Sequence, residues 1–332
     1  MLYAPEHPTT AYLESVYEFS REDDLRVQEH RSAVNSAILH PDNDLYIAGP
    51  CALTSDWEDI RSENIQWDEF VAVNGIKSFL KRYNPWKPRS DPNAWHGLET
   101  ESLTGRTPSE SAEEAYALIN EGARTSANIA MEMAFPYHLL RYGKLTTFAW
   151  VGSRNEKDID ESTGIDFIDM LAKYDPTLPV GIKNSMDGNL ELAIGRVKKI
   201  NRIRSHLGIS AFAPAVLIYR GGENVRTASE WYNEAERIIG LEDVQGRVIL
   251  DHAHMGEMAC DPDGFEKTEE GQSICWDRAI ELRRSGKRFV GSQTESSNLK
   301  SPVDPPLPIE VTMSKIRDME RAKINEREVI RI

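Results

Sequence analysis

The sequence predicts an α/β fold, a (β/α)8 TIM barrel with a short N-terminal helical arm, and three observations carry that expectation. Short apolar, β-branched or aromatic runs recur along the chain, segments with helical spacing lie between most of them, and no linker-like stretch interrupts the series. Alternating strand and helix place parallel strands in one sheet, joined by right-handed crossovers. Eight strand candidates favour closure into a barrel, with an open doubly wound sheet as the alternative.

In chain order, residues 1–44 read as an arm with one helix, "REDDLRVQEHRSAVNSAIL", in which Leu25, Val27, Val34, Ala37, Ile38 and Leu39 recur at helical spacing before "HPDND" stops it. The strand candidates are "LYIAGP" (45–50), "IKSFLKRY" (76–83), "ANIAMEMA" (127–134), "TTFAWVG" (146–152), "PVGIKN" (179–184), "AVLIYR" (215–220), "RVILDHAH" (247–254) and "RFVGSQTE" (288–295). Helix candidates between them include "SAEEAYALINEGA", "NLELAIGRVKKINRIR", "TASEWYNEAERIIG" and "SICWDRAIELRRSG". The barrel is expected over residues 45–300, and a Pro-rich segment, 301–332, is expected to close it.

Composition narrows the function classes. With 332 residues, 40% hydrophobic and 28% charged, the chain reads as an ordinary globular protein. The start has no basic region followed by an apolar core, and no long apolar run occurs, so neither a secretory signal nor a membrane span is expected. Three scattered cysteines, Cys51, Cys260 and Cys275, without a C-x-x-C pair, exclude a disulfide framework and fit a reducing cytoplasm. A formal net charge of −15 speaks against a nucleic-acid partner, because phosphate backbones are held by clustered Lys and Arg. The adjacent glycines of "LIYRGGENV" lack the G-x-G-x-x-G spacing of a dinucleotide site.

Against that acidic balance, "RYNPWKPRSDPNAWHG" (82–97) holds three prolines and the cations Arg82, Lys87 and Arg89, and its prolines make it a loop. A barrel builds its active site at the C-terminal ends of its strands. Those ends carry Arg82 with the Lys87–Arg89 loop, Arg154, Lys183 and Arg220, and Glu132 lies near the third. Cations gathered at one end with few matching carboxylates form a cup for an anion bearing carboxylate and phosphate groups, where Arg supplies bidentate forks and Lys a point charge. Cys51, His254 and Glu295 end three other strands and offer a thiolate, an imidazole and a carboxylate, a set suited to a divalent transition metal. Their alternatives are a small apolar core residue, a satisfied core histidine and a partner for one of the cations. Asp251 and His252 are adjacent polar candidates, and alternation along a strand would put His252 and His254 on one face.

In order, "IAGPCAL", "WKPRSDPNAWHGLE", "EMA", "VGSRN", "PVGIKNSMDG", "LIYRGGEN", "ILDHAHM" and "GSQTESS" resemble the motifs of the class I 3-deoxy-D-arabino-heptulosonate 7-phosphate (DAHP) synthases, over residues 20–300. The resemblance implies a metal-dependent, aldol-type condensation of phosphoenolpyruvate with erythrose 4-phosphate that releases phosphate, the first step of the shikimate route to aromatic amino acids. It implies that Arg82, Lys87, Arg154, Lys183 and Arg220 hold phosphoenolpyruvate with Glu132 nearby, and that Arg89 and Ser90 receive the aldose phosphate. Cys51, His254 and Glu295 would bind a divalent ion such as Mn, Fe, Co or Zn, and Lys87 and His254 would be the catalytic residues. It also implies a cytoplasmic homo-oligomer.

The sequence departs from that pattern in three places. Met313 stands where the family's fourth metal ligand, an Asp, is expected, leaving Asp318 or Asp304 as substitutes, or a site of three protein ligands and water. Arg154-Asn155-Glu156 replaces an Arg-Thr-Thr, and Trp86 replaces an acidic residue before Lys87. These changes fall on the aldose side, so the same phosphoenolpyruvate chemistry with another aldehyde, or a non-catalytic homologue that binds phosphate metabolites, stand as alternatives.

Overall fold

A computed structural model describes residues 20–40, 44–49, 57–83, 125–128, 147–151, 172–173, 177–184, 188–208, 214–222, 225, 227–253, 269–299 and 306–329. The strands are β1 (Leu45–Gly49), β2 (Phe79–Tyr83), β3 (Thr125–Asn128), β4 (Phe148–Val151), β5 (Val180–Lys183), β6 (Ala215–Tyr219), β7 (Val248–Asp251) and β8 (Gly291–Glu295). The helices described are α1 (Arg21–Leu39), α2 (Trp57–Asn74), α3 (Leu190–His206), α4 (Ala228–Ile239), α5 (Glu269–Arg284) and α6 (Ile309–Val329). Each strand pairs in parallel with the next, and β1 pairs with β8 over the register Leu45↔Gly291 to Gly49↔Glu295, so the sheet is a closed barrel. The open-sheet alternative is thereby excluded.

Strand alternation sorts the apolar residues into two layers. Leu45, Ile47, Leu80, Phe148, Val216, Ile218 and Ile249 point inward and cluster with Val34, Ala37 and Ile38 of α1. The arm is therefore part of the core: its helix packs on the end where the strands begin. Gly181 belongs to this inner layer, where a Cβ would lie 2.8 Å from the Phe148 ring and 2.6 Å from Ile218 Cδ1. Tyr46, Phe79, Ile182, Leu217, Tyr219 and Leu250 point outward against the helices, including Trp67 of α2, Trp231 of α4 and Trp276 of α5. Trp67 stacks on Phe79 with ring centroids 5.0 Å apart.

Local signals explain the helix starts. Asn189 accepts the Leu192 N–H at 3.1 Å to cap α3, and Thr227 accepts the Glu230 N–H at 3.2 Å to open α4 within a T-x-x-E sequence.

Two sequence expectations are corrected. The seventh strand ends at Asp251 rather than at 254, because the Asp251 side chain accepts the Ala253 N–H at 2.9 Å and turns the chain. The third strand begins before its expected run, at Thr125. The C-terminal segment contains α6, which follows directly on Pro308, a residue tolerated at a helix start because no N–H is required there. The expected helix at 111–123 lies outside the described residues.

Candidate active site

The same alternation that buries Leu80, Val216 and Ile249 inside the barrel turns polar residues inward at the opposite end from α1. Two residues beyond Leu80 comes Arg82, two beyond Ile218 comes Arg220, and two beyond Ile249 comes Asp251. Lys183 follows the inward Gly181 in the same way, and Gln293 and Glu295 follow Gly291. Arg82, Lys183, Asp251, Gln293 and Glu295 are all buried, and Arg220 is half-buried.

These charges are ordered as pairs. Arg82 Nη1 lies 2.8 Å from Glu295 Oε1 across the barrel seam, and Lys183 Nζ forms an ion pair with Asp251 Oδ2. Among the described residues the interior cations stand with buried carboxylates, Arg82 with Glu295 and Lys183 with Asp251. An unpaired charge at such depth is too costly to keep. Burial pushes the Lys183 ammonium down from its ordinary 10.5 to about 7. Asp251 pulls against that shift, while Arg220 and Arg82 add to it. A cation so poised takes an added anion readily, because negative charge beside it removes part of the desolvation penalty.

The backbone around these side chains is fixed by residues that the sequence reading did not single out. Asn184 spans β5 and β6: its Oδ1 accepts the Arg220 N–H at 2.9 Å and its Nδ2 donates to the Gly221 carbonyl at 2.5 Å. Gly49 lets β1 approach β2, since a Cβ there would sit 2.5 Å from the Arg82 carbonyl oxygen, and its φ of +154° also favours glycine. Beyond Glu295, the buried Glu63 carboxylate of α2 accepts the Ser297 hydroxyl at 2.8 Å and the Asn298 N–H at 2.6 Å. Asn298 in turn accepts the Ile309 N–H at 3.0 Å, tying the end of β8 to the start of α6. Gln293 was also unremarked, and neither end of its amide has a hydrogen-bond partner among the described residues.

Of the sequence-predicted residues, Arg82, Lys183, Arg220 and Glu295 come together in the barrel interior. Cys51, Lys87, Arg89, Ser90, Glu132, Arg154, His254 and Asp304 lie outside the described residues. His252 turns outward into the helix layer, between Trp276 with centroids 4.3 Å apart and Trp231 at 5.7 Å. Burial holds its imidazole down at about 3, so it is neutral. Because β7 stops at Asp251, the strand alternation expected to orient His252 does not reach it, and His254 lies outside the described residues. Asp318 sits half-exposed on α6, 3.0 Å from Arg321, and Met313 packs against the outer core. Neither location supports a fourth metal ligand. Among the described residues no group of three His, Cys, Asp or Glu side chains could hold a metal ion. Glu295, buried and facing inward at a strand end, fits one carboxylate position of such a site.

No family model matches the sequence, and no curated protein matches it. The fold is similar to the solved structure of phospho-2-dehydro-3-deoxyheptonate aldolase from Francisella tularensis SCHU S4, with a TM-score of 0.67 and 15% sequence identity. The likeness covers 97% of this chain and 98% of that one. At this identity it shows the fold alone. Among the described residues no helix is long and apolar enough to cross a membrane.

Proposed function

We propose that this chain is a DAHP synthase-type transferase that condenses phosphoenolpyruvate with erythrose 4-phosphate to give DAHP and phosphate. The observation that carries the reading is the convergence of Arg82, Lys183 and Arg220 inside the strand-end mouth of the barrel, with Lys183 close to its titration point. The ordered motifs support it, as does a fold shared with a protein named for the same seven-carbon keto-deoxy sugar acid.

In this reading Arg82, Lys183 and Arg220, joined by Lys87 and Arg154, hold the carboxylate and phosphate of phosphoenolpyruvate, with Glu132 beside them. Arg89 and Ser90 take the phosphate of the aldose. Cys51, His254 and Glu295 would hold a divalent ion, Mn, Fe, Co or Zn, which when bound supplies Lewis-acid polarisation of the aldehyde. The C3 carbon of phosphoenolpyruvate then forms the new bond to the aldehyde carbon, Lys87 protonates the resulting alkoxide, water adds at C2 and phosphate leaves. Burial of the interior cations keeps bulk water from screening their hold on the anion.

A second reading, the same phosphoenolpyruvate chemistry with a different aldehyde, is favoured specifically by Trp86 and by Arg154-Asn155-Glu156 on the aldose side. A non-catalytic binder of phosphate metabolites is the third. The test follows the enol ultraviolet absorbance of phosphoenolpyruvate in chelator-treated protein supplied with Mn²⁺ and erythrose 4-phosphate. Metal-dependent loss of absorbance with phosphate release is the expected result. Binding of phosphoenolpyruvate by calorimetry without turnover moves the assignment to another acceptor or to a binding role, and absence of binding removes it.

A further inference from the structure

The Asp251 carboxylate is buried, and both its oxygens are engaged. Oδ2 pairs with the Lys183 ammonium, and Oδ1 accepts the Ala253 N–H at 2.9 Å. A carboxylate fixed at one oxygen by its own backbone cannot rotate away, so it sets where the flexible four-carbon stem of Lys183 ends. Among the described residues, Arg220 at the end of β6 and Arg82 on β2 also face Lys183, and Glu295 of β8 answers Arg82. Both guanidinium groups oppose a proton on Lys183, and Asp251 favours one.

We propose that Asp251 is a positioning residue of the anion site: it keeps the Lys183 ammonium charged and in place between Arg82 and Arg220 until a bound anion shares that task. The identity of the anion, phosphoenolpyruvate, rests on the function proposed above; the role of Asp251 toward Lys183 does not.

The experiment compares the full chain with Asp251→Asn, which keeps an oxygen for the Ala253 N–H but loses the charge, and with Asp251→Ala, which loses both. Titration of Lys183 is followed by NMR of 13Cε-lysine-labelled protein, its signal assigned by disappearance in Lys183→Arg. In Asp251→Asn the Lys183 midpoint should fall by about 1 to 3 pH units. Calorimetry with phosphoenolpyruvate should then show a loss of affinity that is larger at pH 8.5 than at pH 6.5, about tenfold for each unit of that fall. An unchanged Lys183 midpoint in Asp251→Asn overturns the proposal. So does an equal loss of affinity at both pH values that is matched by Asp251→Ala. If Asp251→Asn proves unstable, the double variant Lys183→Met/Asp251→Asn removes both buried charges and should melt above the single variant; melting below it overturns the pairing. Failure of the parent chain to bind phosphoenolpyruvate would remove the proposed function, while the Lys183 titration would still decide the role of Asp251.

Discussion

Side chains of one chemical type have different consequences in this molecule according to depth. The Arg82–Glu295 pair is nearly inaccessible to solvent, whereas Lys198 and Asp243, 2.9 Å apart, have side chains more than half exposed. Removing one member of the buried pair leaves an uncompensated charge, so Glu295→Gln should lower unfolding free energy by about 3–5 kcal/mol. Lys198→Ala should change it by about 0–1 kcal/mol, because water already solvates both partners. Urea unfolding of the two variants checks this, and equal effects would contradict the burial assigned to Arg82. Lys183→Ala likewise should destabilise the fold, since Asp251 stays buried, and loss of activity in that variant alone does not identify a ligand contact. The sequence made Lys183 and Arg82 legible as strand-end cations and offered Glu295 as a partner for one of the cations, which is Arg82, but it did not pair Asp251 with Lys183. Asp251 and His252 are neighbours of similar polarity, and a shift of one residue in strand register exchanges which of them faces the interior. Only the barrel closure places Asp251 inside and His252 between two tryptophans.

At the level of elements, the eight strands were legible because each inner layer requires a compact apolar run, and those runs survive inspection one by one. The arm helix was legible in its bounds but not in its role: Val34, Ala37 and Ile38 look like any amphipathic stripe until the barrel end they cover, where the strands begin, is known. Helix α6 was hidden by the prolines at 302, 305, 306 and 308, which read as the end of regular structure. Its position depends on a relay from α2 through the end of β8, in which Glu63 accepts from Ser297 and Asn298, and Asn298 accepts from Ile309. Asp44 extends the hold on α6 from the other side, pairing with Arg283 of α5 and with Lys323 of α6 at 3.2 Å. Glu63→Ala leaves a hydroxyl and a backbone N–H without their acceptor and should cost about 1–3 kcal/mol. Hydrogen exchange at Asn298 and Ile309 should speed up in that variant while exchange in β6 stays slow. Uniform acceleration across the barrel would show that the relay is not local to the β8–α6 connection.

For the molecule as a whole, the buried ionisable groups set a stability profile with a maximum on the alkaline side of neutrality. Lys183 releases its proton at about 7 in the folded chain and at its ordinary 10.5 once unfolded. Between those values the unfolded chain holds a proton that the folded chain lacks, so the free energy of unfolding rises with pH across that window and the contribution is flat below it. Burial raises Cys275, Tyr46 and Tyr219 instead. Above the ordinary values of 9.0 for the thiol and 10.0 for the phenols, the folded chain retains protons that the unfolded chain releases, and stability falls. Urea unfolding from pH 6.5 to 10.5 should therefore show stability climbing above pH 7, levelling near pH 9 where the thiol offsets Lys183, and falling above about pH 10 where both phenols contribute. In Lys183→Met the climb should be lost and the alkaline fall kept, and a climb that survives the substitution would assign it to other groups. A saturating anion in the strand-end mouth adds negative charge beside Lys183 and keeps it protonated in the folded state. Phosphoenolpyruvate should therefore flatten the climb in the parent chain and leave the Lys183→Met profile unchanged in shape.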